Sequence, residues 1–92
     1  MDTSTVTIRI DDAEDQVELP TELFELFTED SQSPAGAATD LMVLDYTHRL
    51  HAQVHHSDGE VDQQIIDLEA DMRERFEQRF GASFGELTGH QH

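Results

Sequence analysis

Four of the six histidines in this sequence lie between positions 48 and 56. If this segment is helical, His48, His51 and His55 fall within about 60° of one another around the helix axis. His51 and His55 also have the i, i+4 spacing of paired zinc-ligating histidines. The zinc-protease motif His-Glu-x-x-His is not matched, because Ala52 stands where its glutamate would be. The spacing indicates a candidate metal site, and the alternative is a set of neutral or acid-paired histidines beside a helix interface.

A second candidate surface is a column of carboxylates at helical spacing, formed by Glu60, Asp67, Asp71 and Glu74. Their separation along a helix axis overlaps the spacing of phosphates along a nucleic-acid strand. The column could therefore imitate nucleic acid and block the basic cleft of a DNA- or RNA-binding protein. We favour the alternative of a solvated helix face, because acidic residues are scattered over the whole chain.

The charge balance of the chain is strongly acidic. Asp and Glu total 21 against 5 Lys plus Arg, all of them arginine, and the formal net charge is −16. Self-repulsion on this scale opposes a compact state unless counter-ions or a basic partner neutralise it. The composition resembles that of proteins from extreme halophiles, which implies adaptation to high internal salt.

Two alternating segments predict an N-terminal β-hairpin over residues 6–19. Residues 6–10 place Val6, Ile8 and Ile10 on one face, and residues 16–19 alternate again before Pro20 ends the second strand. The polar stretch at residues 11–15 is the expected loop.

The first strand places Thr5, Thr7 and Arg9 on its other face. With two helices after it, the strand resembles the ribbon-helix-helix regulators, dimers that lay paired strands in the DNA major groove. The resemblance covers about half of the chain and implies that Thr5, Thr7 and Arg9 read bases. The second strand and the lack of clustered cations depart from that family, so direct nucleic-acid binding is an alternative that we do not favour.

The most regular apolar pattern predicts a helix over residues 57–80. Its start is indicated by Ser57 and Glu60, which have the spacing of a capping box, and its end by Gly81. Glu69 with Arg73, and Asp71 with Arg75, have the favourable i, i+4 order. The apolar stripe consists of Val61, Ile65, Leu68, Met72, Phe76 and Phe80.

Two further helices are predicted upstream, a short one over residues 21–29 and a long one over residues 34–56. The Ser33-Pro34 pair opens the long helix, because serine caps a helix and proline suits its first turn. Its expected core positions are Leu41, Val43, Leu44, Leu50 and Val54. The tail, residues 81–92, is expected to fold back through Phe84 and Leu87.

These patterns predict one small α+β domain over residues 1–92. An N-terminal β-hairpin, or a single ribbon strand, is followed by a short helix and a two-helix antiparallel hairpin. The chain has no cysteine. No signal peptide and no membrane span are expected, so the predicted location is the cytoplasm.

The predicted function is a non-enzymatic protein–protein interaction or regulatory domain. No nucleophile elbow or phosphate-binding glycine loop is present in the sequence, and we expect no cofactor. The expected partner is a protein, and leftover apolar surface predicts a homodimer. Phe24, Phe27, Phe84 and Leu87 are the candidate exposed patch. The alternatives are a nucleic-acid-mimic inhibitor and a dimeric ribbon-helix-helix-like DNA-binding regulator.

Overall fold

A computed structural model describes residues 1–55 and 59–88 of the chain. The elements in order are β1 (Thr3–Ile10), β2 (Ala13–Pro20), α1 (Thr21–Phe27), α2 (Pro34–His55), α3 (Gln63–Phe80) and α4 (Phe84–Thr88). This confirms the predicted α+β fold with a hairpin, a short helix and a helical hairpin. The chain divides into two compact units, Met1–Thr39 and Asp40–His92, and the single-domain assignment stays a prediction.

No helix in the described part of the chain combines the length and the apolar character needed to cross a membrane.

The hairpin in the first unit closes through a two-residue turn. β1 and β2 are antiparallel, and their register runs from Thr3 opposite Pro20 to Ile10 opposite Ala13. Asp11 adopts a positive φ of 55°, a left-handed conformation that aspartate tolerates better than most residues. The predicted five-residue loop was therefore too long, because residues 13–15 already pair with β1.

The two faces of this hairpin differ in chemistry. Residues directly opposite each other in an antiparallel pair share a face. One face, called here the apolar hairpin face, carries Val6, Ile8, Ile10, Val17 and Leu19, together with Ser4, Ala13 and Asp15. The other face carries Thr5, Thr7, Arg9, Glu14, Gln16 and Glu18.

Hydrogen bonds at their first residues mark where the helices α1 and α2 begin. The Thr21 amide donates to the Asp2 carbonyl over 3.0 Å, which ties the start of α1 to β1. The Ser33 hydroxyl accepts a hydrogen bond of 2.9 Å from the Gly36 amide, and Pro34 is the first residue of α2. The predicted cap at Ser33 is confirmed.

Helix α3 begins later than the sequence predicts. Residues 59–62 are not helical, and the Asp62 carboxylate caps the helix by accepting a 3.0 Å hydrogen bond from the Gln64 amide. The predicted start at residue 57 was wrong, and Ser57 itself lies outside the described residues. The predicted end is confirmed, because Gly81 has φ 72° and its amide donates to the Glu77 carbonyl over 2.8 Å.

Helices α2 and α3 run antiparallel within the second unit. Arg79 near the end of α3 pairs with Asp40 near the start of α2 over 2.6 Å, while Glu69 meets His55 at the other end of α2. Phe76 and Phe84 are almost fully buried, with an edge-to-face ring separation of 5.4 Å. Phe84 thus anchors α4, a helix that the sequence analysis treated as tail.

The fully buried positions of these two helices are largely polar. Thr47, His51 and Glu69 are at most 4% exposed, whereas Leu41 and Leu68, both predicted to face the core, are 49% and 45% exposed. Helical phase explains the correction. At about 100° per residue, Glu69 lies about 20° from Phe76 around the axis, whereas Leu68 lies about 80° from it. The angular position of a residue around the helix therefore decides its burial here, even where the side chain is polar.

Candidate functional site

Two histidines of α2 and one glutamate of α3 meet inside the second unit. Glu69 Oε1 lies 3.8 Å from His51 Nδ1 and 3.6 Å from His55 Nε2. The two imidazole rings are 4.5 Å apart. One nitrogen from each histidine and one oxygen of Glu69 all lie within 4.8 Å of one another, so rotation of these side chains would let a single metal ion bind all three.

The cluster is mostly buried, with one side toward solvent. The side chains of His51 and Glu69 are 6% and 2% exposed, and that of His55 is 33% exposed. The His51 ring lies 5.2 Å from the Phe84 ring, so an aromatic wall covers its inner side. Charges in such a place interact more strongly than they would in water, because the effective dielectric constant is lower.

Arg73 also reaches the buried carboxylate. Its Nε lies 2.9 Å from Glu69 Oε1, and its side chain is 53% exposed. The predicted i, i+4 pair is therefore formed. However, Glu69 Oε1 accepts no hydrogen bond from any residue in the described ranges, and both histidine nitrogens are too distant to donate one. The contact with Arg73 is an ion pair in which the N–H does not point at the oxygen.

The structure replaces one member of the predicted histidine group. His48 is exposed, its ring lies 6.2 Å from the Phe84 ring, and it is not part of the cluster. Glu69 takes the third position instead. From the sequence, Glu69 was assigned only to an i, i+4 pair with Arg73, although its position about 20° from Phe76 around the helix axis indicated burial.

The acidic column contains fewer residues than the sequence predicts, and two of its carboxylates have polar or basic partners. Glu60 precedes α3, so its assignment to a helical column was wrong. Asp67 accepts a 3.0 Å hydrogen bond from Gln63, and Asp71 pairs with Arg75 over 2.6 Å. The hydrogen bond and charge of Asp71 raise the pKa of Arg75 above its ordinary value. Glu74 is exposed.

The candidate base-reading residues lie on the polar face of the hairpin. Thr5, Thr7 and Arg9 are exposed, and each stands opposite a β2 residue, respectively Glu18, Gln16 and Glu14. Arg9 Nε donates to the Asp11 carbonyl over 3.3 Å. Two glutamates thus share the face that would approach phosphates, and β1 pairs with β2 along its whole length. Both features argue against the ribbon-helix-helix interpretation.

The structure removes one residue from the candidate aromatic patch. Phe84 is 3% exposed, so the prediction that it belongs to an exposed patch was wrong. Phe24 is half-buried, while Phe27 and Leu87 are 56% and 53% exposed. Phe27 belongs to the first unit and Leu87 to the second.

Comparison with known proteins gives a family but no activity. No curated protein and no solved structure matches the chain. A family model matches residues 1–92, and its description reads "Family of unknown function (DUF7545)".

Proposed function

The chain belongs to DUF7545, and we propose from its geometry that it is a small non-enzymatic protein–protein interaction domain that acts as a homodimer in the cytoplasm. The observation that carries this proposal is the exposed apolar hairpin face.

This face has little cover in the single chain. Ile8 and Val17 are 49% and 47% exposed, and Ile10 is 67% exposed. A two-stranded hairpin is marginally stable in water unless its apolar side packs against something. Three large aliphatic residues exposed on one side of one hairpin therefore favour an interaction surface over scattered surface residues.

A second copy of the chain is the partner that fits this face best. Asp15 is the one charged residue on it, although the chain as a whole carries a net charge of −16. A basic partner would be attracted to the acidic remainder of the surface, whereas this face requires an apolar counterpart. A second copy supplies an identical face, and a two-fold axis would place the two hairpins against each other.

Helix α1 adds to the exposed apolar area of the first unit. This helix follows β2 directly, and its last two residues, Leu26 and Phe27, are 76% and 56% exposed. Because each copy carries a charge of −16, association brings like charges together. The dimer should therefore strengthen as salt screens that repulsion.

Sedimentation velocity tests the proposal with one matched pair of variants. Ile8→Glu places a charge on the apolar hairpin face, and Thr7→Glu adds the same charge to the neighbouring position on the opposite face. At about 2 M KCl, where the Debye length is only about 2–3 Å, we expect a dimer for the wild type and Thr7→Glu. Ile8→Glu should sediment as a monomer, and its circular dichroism spectrum should show that it is still folded. A wild type that is monomeric at every salt concentration, or a dimeric Ile8→Glu, would contradict the proposal.

The nucleic-acid mimic has less support from the described surface. A mimic needs a ridge of uncompensated carboxylates, whereas Asp71 is paired with Arg75 and Glu60 is not on the helix. Nearly all other described acidic residues are exposed, with only Asp40 half-buried and Glu69 buried. Such even exposure favours a hydrated surface adapted to salt. We propose that the acidity serves solubility and not recognition.

A further inference from the structure

The geometry of His51, His55 and Glu69 points to a binding site for one divalent transition-metal ion of the Zn²⁺ or Co²⁺ type. This proposal is independent of the dimer, because all three residues belong to the second unit.

The distances suit such an ion without a change of fold. Bond lengths of about 2.0–2.2 Å and tetrahedral angles place two ligand atoms about 3.3–3.5 Å apart. The observed separations from Glu69 Oε1 are 3.8 Å to His51 Nδ1 and 3.6 Å to His55 Nε2. The two contacts of Glu69 Oε1 would have to shorten by a few tenths of an ångström. The two imidazole nitrogens, which lie within 4.8 Å of each other, would have to approach by up to about 1.5 Å, which rotation about the χ angles of His51 and His55 can supply.

The ligand types select the class of metal. Two imidazoles and one carboxylate suit Zn²⁺, Co²⁺ and related ions, whereas Ca²⁺ and Mg²⁺ prefer oxygen ligands alone. The i, i+4 pair on α2 presents both imidazoles from one rigid helix, and α3 supplies the carboxylate. Three protein ligands leave a fourth position for water.

The buried carboxylate provides a second, independent argument. Glu69 is 2% exposed, and its Oε1 accepts no hydrogen bond from any residue that the structure describes. A buried carboxylate oxygen without a hydrogen bond is costly. A metal ion between this oxygen and the two imidazoles would satisfy it directly.

Arg73 is the group with which a metal ion must compete. Its guanidinium lies 2.9 Å from Glu69 Oε1, so its positive charge opposes a cation there. Its side chain is 53% exposed and can turn outward into solvent while α3 stays in place. Removing the Arg73 guanidinium should therefore raise the affinity of the site for a metal ion.

Cobalt titration of the full-length chain tests the site. Co²⁺ bound by nitrogen and oxygen in a four-coordinate site gives intense visible d–d bands, unlike the weak bands of octahedral Co²⁺ on surface carboxylates. With excess Mg²⁺ and about 1 M KCl to occupy and screen the acidic surface, we expect one such Co²⁺ per chain, displaced by Zn²⁺. Absence of these bands, or bands removed by Mg²⁺, would overturn the proposal.

Matched variants locate the site. His55→Ala and Glu69→Gln should lower Co²⁺ affinity about tenfold or more. His48→Ala removes an imidazole from the same helix, outside the cluster, and should leave the affinity unchanged. Arg73→Ala should raise the affinity, whereas a purely structural role for the cluster predicts no change. Equal affinity in His55→Ala and the wild type would overturn the proposal.

A measurement on the wild type covers the case in which a variant fails to fold. Imidazole nitrogen resonances report directly which histidines bind Zn²⁺. We expect the signals of His51 and His55 to shift with one equivalent of Zn²⁺ and those of His48 to stay in place. Shifts at His48, or at none of the three, would contradict the assignment.

Discussion

Glu69 Oε1 on α3 lies 3.6 Å from His55 Nε2 on α2, and this contact joins a buried carboxylate to the solvent-facing side of the helical hairpin. Arg73 approaches the same oxygen from the surface at 2.9 Å. The interior of the second unit thus contains a carboxylate, that of Glu69, at a position where most proteins have an apolar side chain.

Glu69 should limit the stability of the metal-free protein. Replacing a whole buried ion pair by apolar residues of similar volume is often neutral or stabilising by ~1–4 kcal/mol, whereas leaving one charge buried alone is costly. The charged partner that remains when Glu69 is replaced is Arg73, which is 53% exposed and keeps its hydration. We expect Glu69→Leu to raise the free energy of unfolding in the presence of a chelator, because the position of Glu69 itself, only 2% exposed, already faces the core. Urea titration at constant KCl measures the change.

The exposed neighbour of Glu69 supplies the control for that experiment. Leu68→Ala changes a side chain that is 45% exposed and should alter the free energy of unfolding by only about 0.5 kcal/mol. Destabilisation by Glu69→Leu would mean that the carboxylate contributes to folding even without metal.

Phe84 should be the residue that holds α4 in place. It is 3% exposed and packs against Phe76, so truncation leaves a cavity in the core. We expect Phe84→Ala to cost about 3 kcal/mol in thermal or urea unfolding. Leu87→Ala on the same short helix, at a position 53% exposed, should cost about 0.5 kcal/mol or less. Similar losses in the two variants would show that α4 does not dock as described.

Gly81 should resist substitution for a reason of backbone geometry alone. Its φ is 72°, and an added Cβ would meet no heavy atom within 4 Å. Alanine there would pay about 1–2 kcal/mol for the left-handed conformation and shorten or distort the end of α3. Gly59→Ala provides the control, because a Cβ there also meets nothing and no left-handed φ is required. Equal unfolding midpoints for the two variants would contradict this assignment of strain.

Folding of the chain should depend on salt. A net charge of −16 on 92 residues produces self-repulsion that KCl screens, with a Debye length falling to about 3 Å near 1 M. We expect far-ultraviolet circular dichroism to show helicity and the unfolding midpoint rising steeply with KCl. Replacing Asp12, Glu14 and Glu18 by their amides removes exposed charges and should lower the KCl concentration required. A cooperative fold at about 0.1 M KCl would remove salt adaptation as the explanation of the charge.

Two local signals in the sequence were sufficient to place the start of α2 and the end of α3. Ser33-Pro34 opens α2 and Gly81 closes α3 as predicted, because each acts through hydrogen bonds within a few residues. By contrast, the start of α3 was placed too early. The sequence predicts Ser57 and Glu60 as the capping box, whereas Asp62, which that prediction leaves out, caps the helix in the structure.

The sequence by itself determined the order and kind of the secondary-structure elements from β1 to α3, the two chemically distinct faces of the hairpin and the acidic surface. These follow from alternation, helical periodicity and composition, which are local properties of the chain. Only the tertiary structure decided which polar residues are buried together. His51 and Glu69 are 18 positions apart in sequence, and the antiparallel packing of α2 on α3 brings them to 3.8 Å. Burial at that contact depends on the phase of both helices at once, and so Glu69 lies inside while Leu68 remains exposed.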